Sequence, residues 1–230
     1  MHIFPVSNLS ETRTQRLAAL RTVHADVIWF LGSVLDFKSP NLDEDLDILR
    51  SLPQPHKLLT VGLTELLSSS SLTDYAAEIQ SRLSEHRTGI KCLDWTPAKF
   101  QGVTFIGSLG WYQGEARPEH RALFNTVFKT ERLFRIAQLQ LALHIREARE
   151  LPYLLGTYFN PTNYSSPQTP QRGWDGTALF RVLPPLALFV GNTQEAATSL
   201  DINIHNKLQP GQLTWPTNSQ KHGLLSSEQY

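Results

Sequence analysis

The side chains of this sequence that could do chemistry are few and far apart. Its eight histidines stand at 2, 24, 56, 86, 120, 144, 205 and 222, and no two are close enough to form the short paired spacing of a zinc motif. Each is read as a surface imidazole or a hydrogen-bonded one in the core. The single cysteine, Cys92, lies in an apolar stretch and can form no internal disulfide, which suits a reducing compartment and a buried small hydrophobe. Asp43, Glu44, Asp45 and Asp47 offer the alternate acids of a calcium loop. Position six of that loop would be Ile48 where glycine is needed, and position twelve Gln54 where glutamate is needed. Acids stabilising the positive end of a helix that begins near Leu42 are the better account. Lys129, Arg132, Arg135, Arg146 and Arg149 could meet phosphates, yet Glu131, Glu147 and Glu150 interleave with them, as on a solvated helix face. The sequence contains no phosphate-binding Gly-x-x-x-x-Gly-Lys-Ser/Thr loop, no Gly-x-Ser-x-Gly elbow and no His-Glu-x-x-His. Asn163-Tyr164-Ser165 matches a glycosylation sequon, which a cytoplasmic protein would not use.

The elements that must carry these residues are those of an α/β domain. A chain of 230 residues with 40% hydrophobic content can bury one sizeable core. A single domain over 1–217 is expected, followed by a polar tail over 218–230. Twenty-one basic residues balance 21 acidic ones, so no global field draws the protein to nucleic acid or an anionic membrane. No run of about 18 apolar residues is present, and the N-terminus lacks the basic and apolar regions of a signal peptide. A cytoplasmic protein is expected.

Val27-Ile28-Trp29-Phe30-Leu31 organises the rest. Five large apolar residues in succession read as a strand buried on both faces, and Gly32 lets the chain turn sharply at its end, where open α/β sheets place their ligands. The same pattern of strand then glycine recurs at 57–61 with Gly62, at 153–155 with Gly156, and at 186–190 with Gly191. A short first strand is expected over 2–7, and helices over 12–24, from Leu42, over 73–87 and over 129–150, with a further short one at 175–183. Residues 90–95 and 103–106 read as strands that could pair as a hairpin. The polar loop 157–173 is long for a compact domain, and two more strands are expected at 202–205 and 213–215.

The order of these junctions resembles the calcineurin-like metallophosphoesterase superfamily, over about residues 1–215. That family places five blocks at the ends of a central β-sandwich: Asp-x-His, Gly-Asp-x-x-Asp, Gly-Asn-His-Glu, a strand followed by His, and Gly-His-x-His. The corresponding stretches here are Asn8-Leu9-Ser10, Gly32-Ser33-Val34-Leu35-Asp36, Gly62-Leu63-Thr64-Glu65, Gly156-Thr157-Tyr158 and Gly191-Asn192-Thr193-Gln194. Residues 105–112, Phe-Ile-Gly-Ser-Leu-Gly-Trp-Tyr, are similar to a segment common between the family's third and fourth blocks. The resemblance implies a four-layer α/β/β/α sandwich of two mixed sheets flanked by helices, with a two-metal phosphoesterase site.

The scaffold residues match; the working ones do not. By that correspondence Asn8 and Ser10 stand for a ligating aspartate and histidine, and Ser33 for the carboxylate that bridges both ions. Leu63 stands for a ligating asparagine and Thr64 for the histidine that protonates the leaving group. Thr157, Asn192 and Gln194 stand for three further histidines, the first of which could be matched to Tyr158 instead. Two divalent ions bring about four positive charges, which carboxylates and imidazoles must offset. None of the eight replacements is an acid or an imidazole, so no metal, no cofactor and no catalytic residue is expected. Without the ions no hydroxide nucleophile forms near neutral pH.

What remains is a neutral polar patch of Asn8, Ser10, Ser33, Thr64, Asn192 and Gln194, able to donate and accept hydrogen bonds. Asp36 and Glu65, which in the family serve mainly to support the ligands, are candidate ligand-binding groups together with Trp111, Tyr112 and Tyr158. The reading that follows is an inactive metallophosphoesterase-like protein acting as a binding or scaffold protein, with another protein as partner and a small polar ligand as a second possibility. Its rival is a phosphoesterase with a relocated site using Asp36, Glu65 and a histidine. Binding of nucleic acid through the 129–150 helix is a third reading and is not favoured.

Overall fold

The computed structural model describes residues 1–6, 13–71, 74–110, 131–148, 152–158, 187–190 and 200–201. In chain order the strands are β1 (His2–Val6), β2 (Val27–Leu31), β3 (His56–Thr60), β4 (Ile90–Cys92), β5 (Ala98–Phe100), β6 (Val103–Ser108), β7 (Tyr153–Thr157), β8 (Ala187–Val190) and β9 (Leu200–Asp201). The helices are α1 (Arg13–Ala19), extended by a 3-10 turn over Leu20–Thr22, then α2 (Leu42–Ser51), α3 (Leu63–Ser68), α4 (Tyr75–Glu85) and α5 (Glu131–Glu147).

The strands form two sheets. The first has the order β4-β3-β2-β1-β9, with β1 to β4 parallel and β9 antiparallel to β1. The second has the order β5-β6-β7-β8, parallel except for β5. The protein is thus a mixed α/β fold of two sheets with helices.

Alternation along β2 explains how these parts pack. All five of its residues are buried, as a two-faced strand requires. Ile28 and Phe30 join a core with Leu17 of α1, Leu46 and Leu49 of α2, and Ile79 and Leu83 of α4. Val27, Trp29 and Leu31 point the other way, into a core shared with Val103, Phe105 and Leu154 of the second sheet. There the Trp29 and Phe105 rings meet edge-on, 5.4 Å between centroids at 64°. A third core sets Ile106, Tyr153 and Leu155 of the second sheet against Leu141, Ile145 and Ala148. At about 2 kcal/mol per buried large side chain, β2 alone contributes on the order of 10 kcal/mol of apolar burial.

Two expectations need correction. Residues 90–95 and 103–106 do not pair: β4 lies beside β3 in the first sheet and β6 is in the second. The chain turns after Cys92, whose carbonyl accepts from the Trp95 and Thr96 amides, and so crosses between the sheets. The hairpin partner of β6 is β5, joined through Gln101 and Gly102 at φ 46° and 76°, the left-handed pair that a tight two-residue hairpin turn needs. The expected helix over 12–24 keeps α-helical form only to Ala19. α3 adds a six-residue helix directly after Gly62, too short to show a period in the sequence. The expected helix at 175–183, the strands at 202–205 and 213–215, the sequon at 163 and most of the 157–173 loop lie outside the described residues.

The acids at the start of α2 sit as a helix N-terminus favours, with Asp43, Glu44 and Asp45 in its first turn. Asp45 is also buried and accepts the Thr14 hydroxyl at 2.8 Å. Cys92 is a buried free thiol. On α5, Arg146 and Glu147 are both exposed; Lys129 and Arg149 fall outside the described residues, as do the side chains of Arg132 and Arg135.

Candidate functional site

The site is built where β2 and β3 end side by side. Gly32 turns the chain at φ +85°, and its Cα lies so close to Gly62 that a Cβ on either would come within 2.6 Å of the other's Cα. Only glycine meets both demands at position 32. The crossing brings the loop after β2 against the start of α3, where Glu65 occupies the third helical position.

Glu65 is wholly buried and holds this crossing together. Its Oε1 accepts the Val34 and Leu35 amides at 2.6 and 2.8 Å. Its Oε2 accepts the Ser33 amide at 2.8 Å and, reaching back to its own helix start, the Gly62 amide at 3.0 Å. Four N–H donors occupy the four lone-pair positions that a carboxylate offers. Glu65 is therefore a clamp for two loops.

Ser33, at the turn that follows β2, adopts φ 55°. This left-handed conformation costs a non-glycine residue about 1 kcal/mol. Its hydroxyl donates to the Tyr158 phenol oxygen at 3.0 Å, which joins the loop after β2 to the residue after β7. Burial pushes the Tyr158 phenol above its ordinary pKa, partly offset by the Ser33 bond and reinforced by the Glu65 charge. The Tyr158 ring also packs on Gly32, where a Cβ would come within 2.5 Å of its Cδ2. Tyr158 thus sits where the two sheets meet, and its amide donates to the Ser108 carbonyl.

The remaining positions are less engaged. Leu63 is half-buried and packs on the helix-side core. Thr64 follows it on α3, also half-buried. Thr157 ends β7 with its Oγ1 buried and without a hydrogen-bond partner among the described residues. Asp36 is not part of the clamp; its Oδ1 accepts the Lys38 amide in the following turn. The structure thus brings together Ser33, Glu65 and Tyr158 and sets Leu63 and Thr64 on the adjoining helix. Asn8, Ser10, Trp111, Tyr112, Asn192 and Gln194 lie outside the described residues.

These groups do not fit a pair of divalent cations. Ser33, Thr64 and Thr157 offer neutral hydroxyls, Leu63 offers hydrocarbon, and every lone pair of Glu65 is taken. Among the described residues no group of three or more His, Cys, Asp or Glu is placed to hold a metal ion. Hard or borderline divalent ions need such donors. Among the described residues, no helix is long and apolar enough to cross a membrane.

Two interactions beside the site were not singled out in the sequence. The Trp29 indole donates to Thr60 Oγ1 at 3.0 Å, and that hydroxyl lies 3.5 Å from the Gly156 carbonyl, linking the sheets. Asp94, 2% exposed, accepts from Val61, Leu109 and Tyr75. Its signal was the single acid between Ile90 and Trp95, flanked by Leu93 and Trp95. Among the histidines, His144 is nearly buried with Nδ1 unpartnered among the described residues, and burial lowers its pKa.

In comparisons with models of known protein families and with curated proteins, nothing matches this chain.

Proposed function

We propose that this protein is a metallophosphoesterase-like fold, a four-layer α/β/β/α sandwich, that carries no metal pair, hydrolyses no phosphate ester, and works by binding another protein. The sequence of cores from helices to first sheet, between sheets, and from second sheet to α5 supports the layered reading. The observation that carries the functional reading is at position 33. A serine hydroxyl bonded to a buried phenol occupies the place that the resemblance read in the sequence would give to a charge-neutralising carboxylate. The strand ends then offer uncharged hydrogen-bonding groups, suited to a polar protein surface or a small polar ligand. A cytoplasmic location goes with the lone buried thiol of Cys92.

The relocated-site rival asks Glu65 to act as a base or ligand. Its four amide donors leave no lone pair for that role. The test is a panel of phosphomonoesters and phosphodiesters, assayed with manganese or iron and again with chelator. No turnover above buffer in either arm is expected. Metal-dependent turnover abolished by chelation would overturn the proposal. Turnover that survives chelation and disappears in a Glu65→Ala protein that circular dichroism shows to be still folded would favour the rival.

A further inference from the structure

Asp94 lies in the turn that carries the chain from β4 in the first sheet to β5 in the second. It is 2% exposed. Its Oδ2 accepts the Val61 amide at 2.7 Å, and its Oδ1 accepts the Leu109 amide at 2.6 Å and the Tyr75 hydroxyl at 3.3 Å. These bonds tie together the residue after β3, the residue after β6, and α4. Both tied backbone positions border the candidate site. Val61 precedes Gly62, whose amide Glu65 holds, and Leu109 follows Ser108, whose carbonyl accepts the Tyr158 amide.

The titratable groups that face Asp94 are Tyr75 from α4, Glu65 from α3, and Cys92 from its own side of the turn. All are acids, and among the described residues no basic side chain bonds it. Burial pushes the Asp94 carboxyl up to about 7, against the pull of its three hydrogen bonds. Its charge therefore changes near neutral pH.

We propose that Asp94 is a proton-operated latch: as a carboxylate it pins the ends of β3 and β6 together and fixes the Glu65–Ser33–Tyr158 network, and on protonation it loosens Leu109. The Tyr75 hydroxyl bonds Oδ1, so a solvent proton taken up on Oδ1 is shared as a hydrogen bond to the Tyr75 oxygen and reverses the sense of that bond. A carboxyl hydroxyl is a weaker acceptor for the Leu109 amide than the charged oxygen it replaces. Oδ2, now a carbonyl oxygen, keeps Val61. The latch rests on this geometry and not on the phosphoesterase reading.

Amide NMR on the full chain between about pH 5.5 and 8.5 tests it. The Val61 and Leu109 resonances are expected to move with one midpoint near 7, with Leu109 shifting upfield at low pH as its hydrogen bond lengthens. The Gly62 and Tyr158 amides are expected to follow the same midpoint. Asp94→Asn should abolish the titration at all four, with Leu109 upfield of its low-pH position because an asparagine NH2 in place of Oδ1 offers that amide no acceptor. The side-chain carboxyl carbon of Asp94 in the unaltered protein reports the same midpoint and does not depend on the variant folding. A carboxyl carbon titrating in the ordinary aspartate range overturns the latch. So does a midpoint near 7 at Val61 and Leu109 with Gly62 and Tyr158 unmoved, since the site would then be uncoupled.

Discussion

Replacing Glu65 by glutamine exchanges one oxygen for an NH2 group and keeps the shape, yet it should be among the most damaging single changes in the protein. The carboxylate accepts two amides on each oxygen. A glutamine keeps one oxygen, which can serve Val34 and Leu35. Its NH2 group must then face the Ser33 and Gly62 amides, donor against donor. Two N–H groups lose their acceptor at about 1–3 kcal/mol each, and the other two exchange a charged acceptor for a neutral one. The expected loss is about 4 kcal/mol, or a fall in melting temperature of about 10 °C for a chain of this size. Urea denaturation followed by tryptophan fluorescence measures it directly, because Trp29 is in the inter-sheet core. Glu65→Asp retains the charge but draws the oxygens back by about one bond length, so it too should destabilise. A Glu65→Gln protein within about 1 kcal/mol of the original would refute the clamp and make Glu65 available for chemistry.

Four further outcomes follow from the same geometry. Gly156→Ala would drive a methyl into the Trp29 ring, 2.7 Å from its Cε2, and should cost about 3 kcal/mol in the same urea assay. Tyr158→Phe removes the acceptor of the Ser33 hydroxyl and should cost about 1 kcal/mol, with the fold intact by circular dichroism. Cys92 is buried and its thiol pKa is raised well above the ordinary value, by burial first and the Asp94 charge second. It should resist alkylation at mildly alkaline pH in the native protein and react once urea unfolds it. Asp94 holds its proton more tightly folded than unfolded, from an ordinary 3.8 up to about 7. Relief from burying a charge outweighs the weakened Leu109 bond, so its contribution is complete below the lower value and is lost as pH rises through the higher one, by about 4 kcal/mol in all. Asp94→Asn should remove that slope from a plot of unfolding free energy against pH.

The strands were legible because burial on two faces writes an unbroken apolar run, as in Val27–Leu31, and the turn at Gly32 was legible because it needed a glycine. β5 and α3 were not, since three and six residues are too few to show a period. The pairing of 90–95 with 103–106 failed because proximity in sequence favours a hairpin, while the turn after Cys92 sends the chain to the other sheet. At the site, the residue types showed no acid or imidazole at the eight positions aligned with the family's ligands and proton donor, but not how Ser33 bonds Glu65 and Tyr158. The Ser33–Tyr158 bond spans 125 positions, and the Glu65 clamp spans about 30, so neither can be read from local spacing. Asp94 was not read as a site residue, and its partners, from 15 to 33 residues away, leave no local spacing by which to find it.

The central claim is that uncharged groups stand where a pair of cations would need anionic and imidazole donors. Calorimetric titration of the chelator-treated full chain with manganese tests it most directly. The account predicts no saturable uptake at micromolar metal. Saturation at about two ions per chain, weakened by substitution of Ser33, would contradict it.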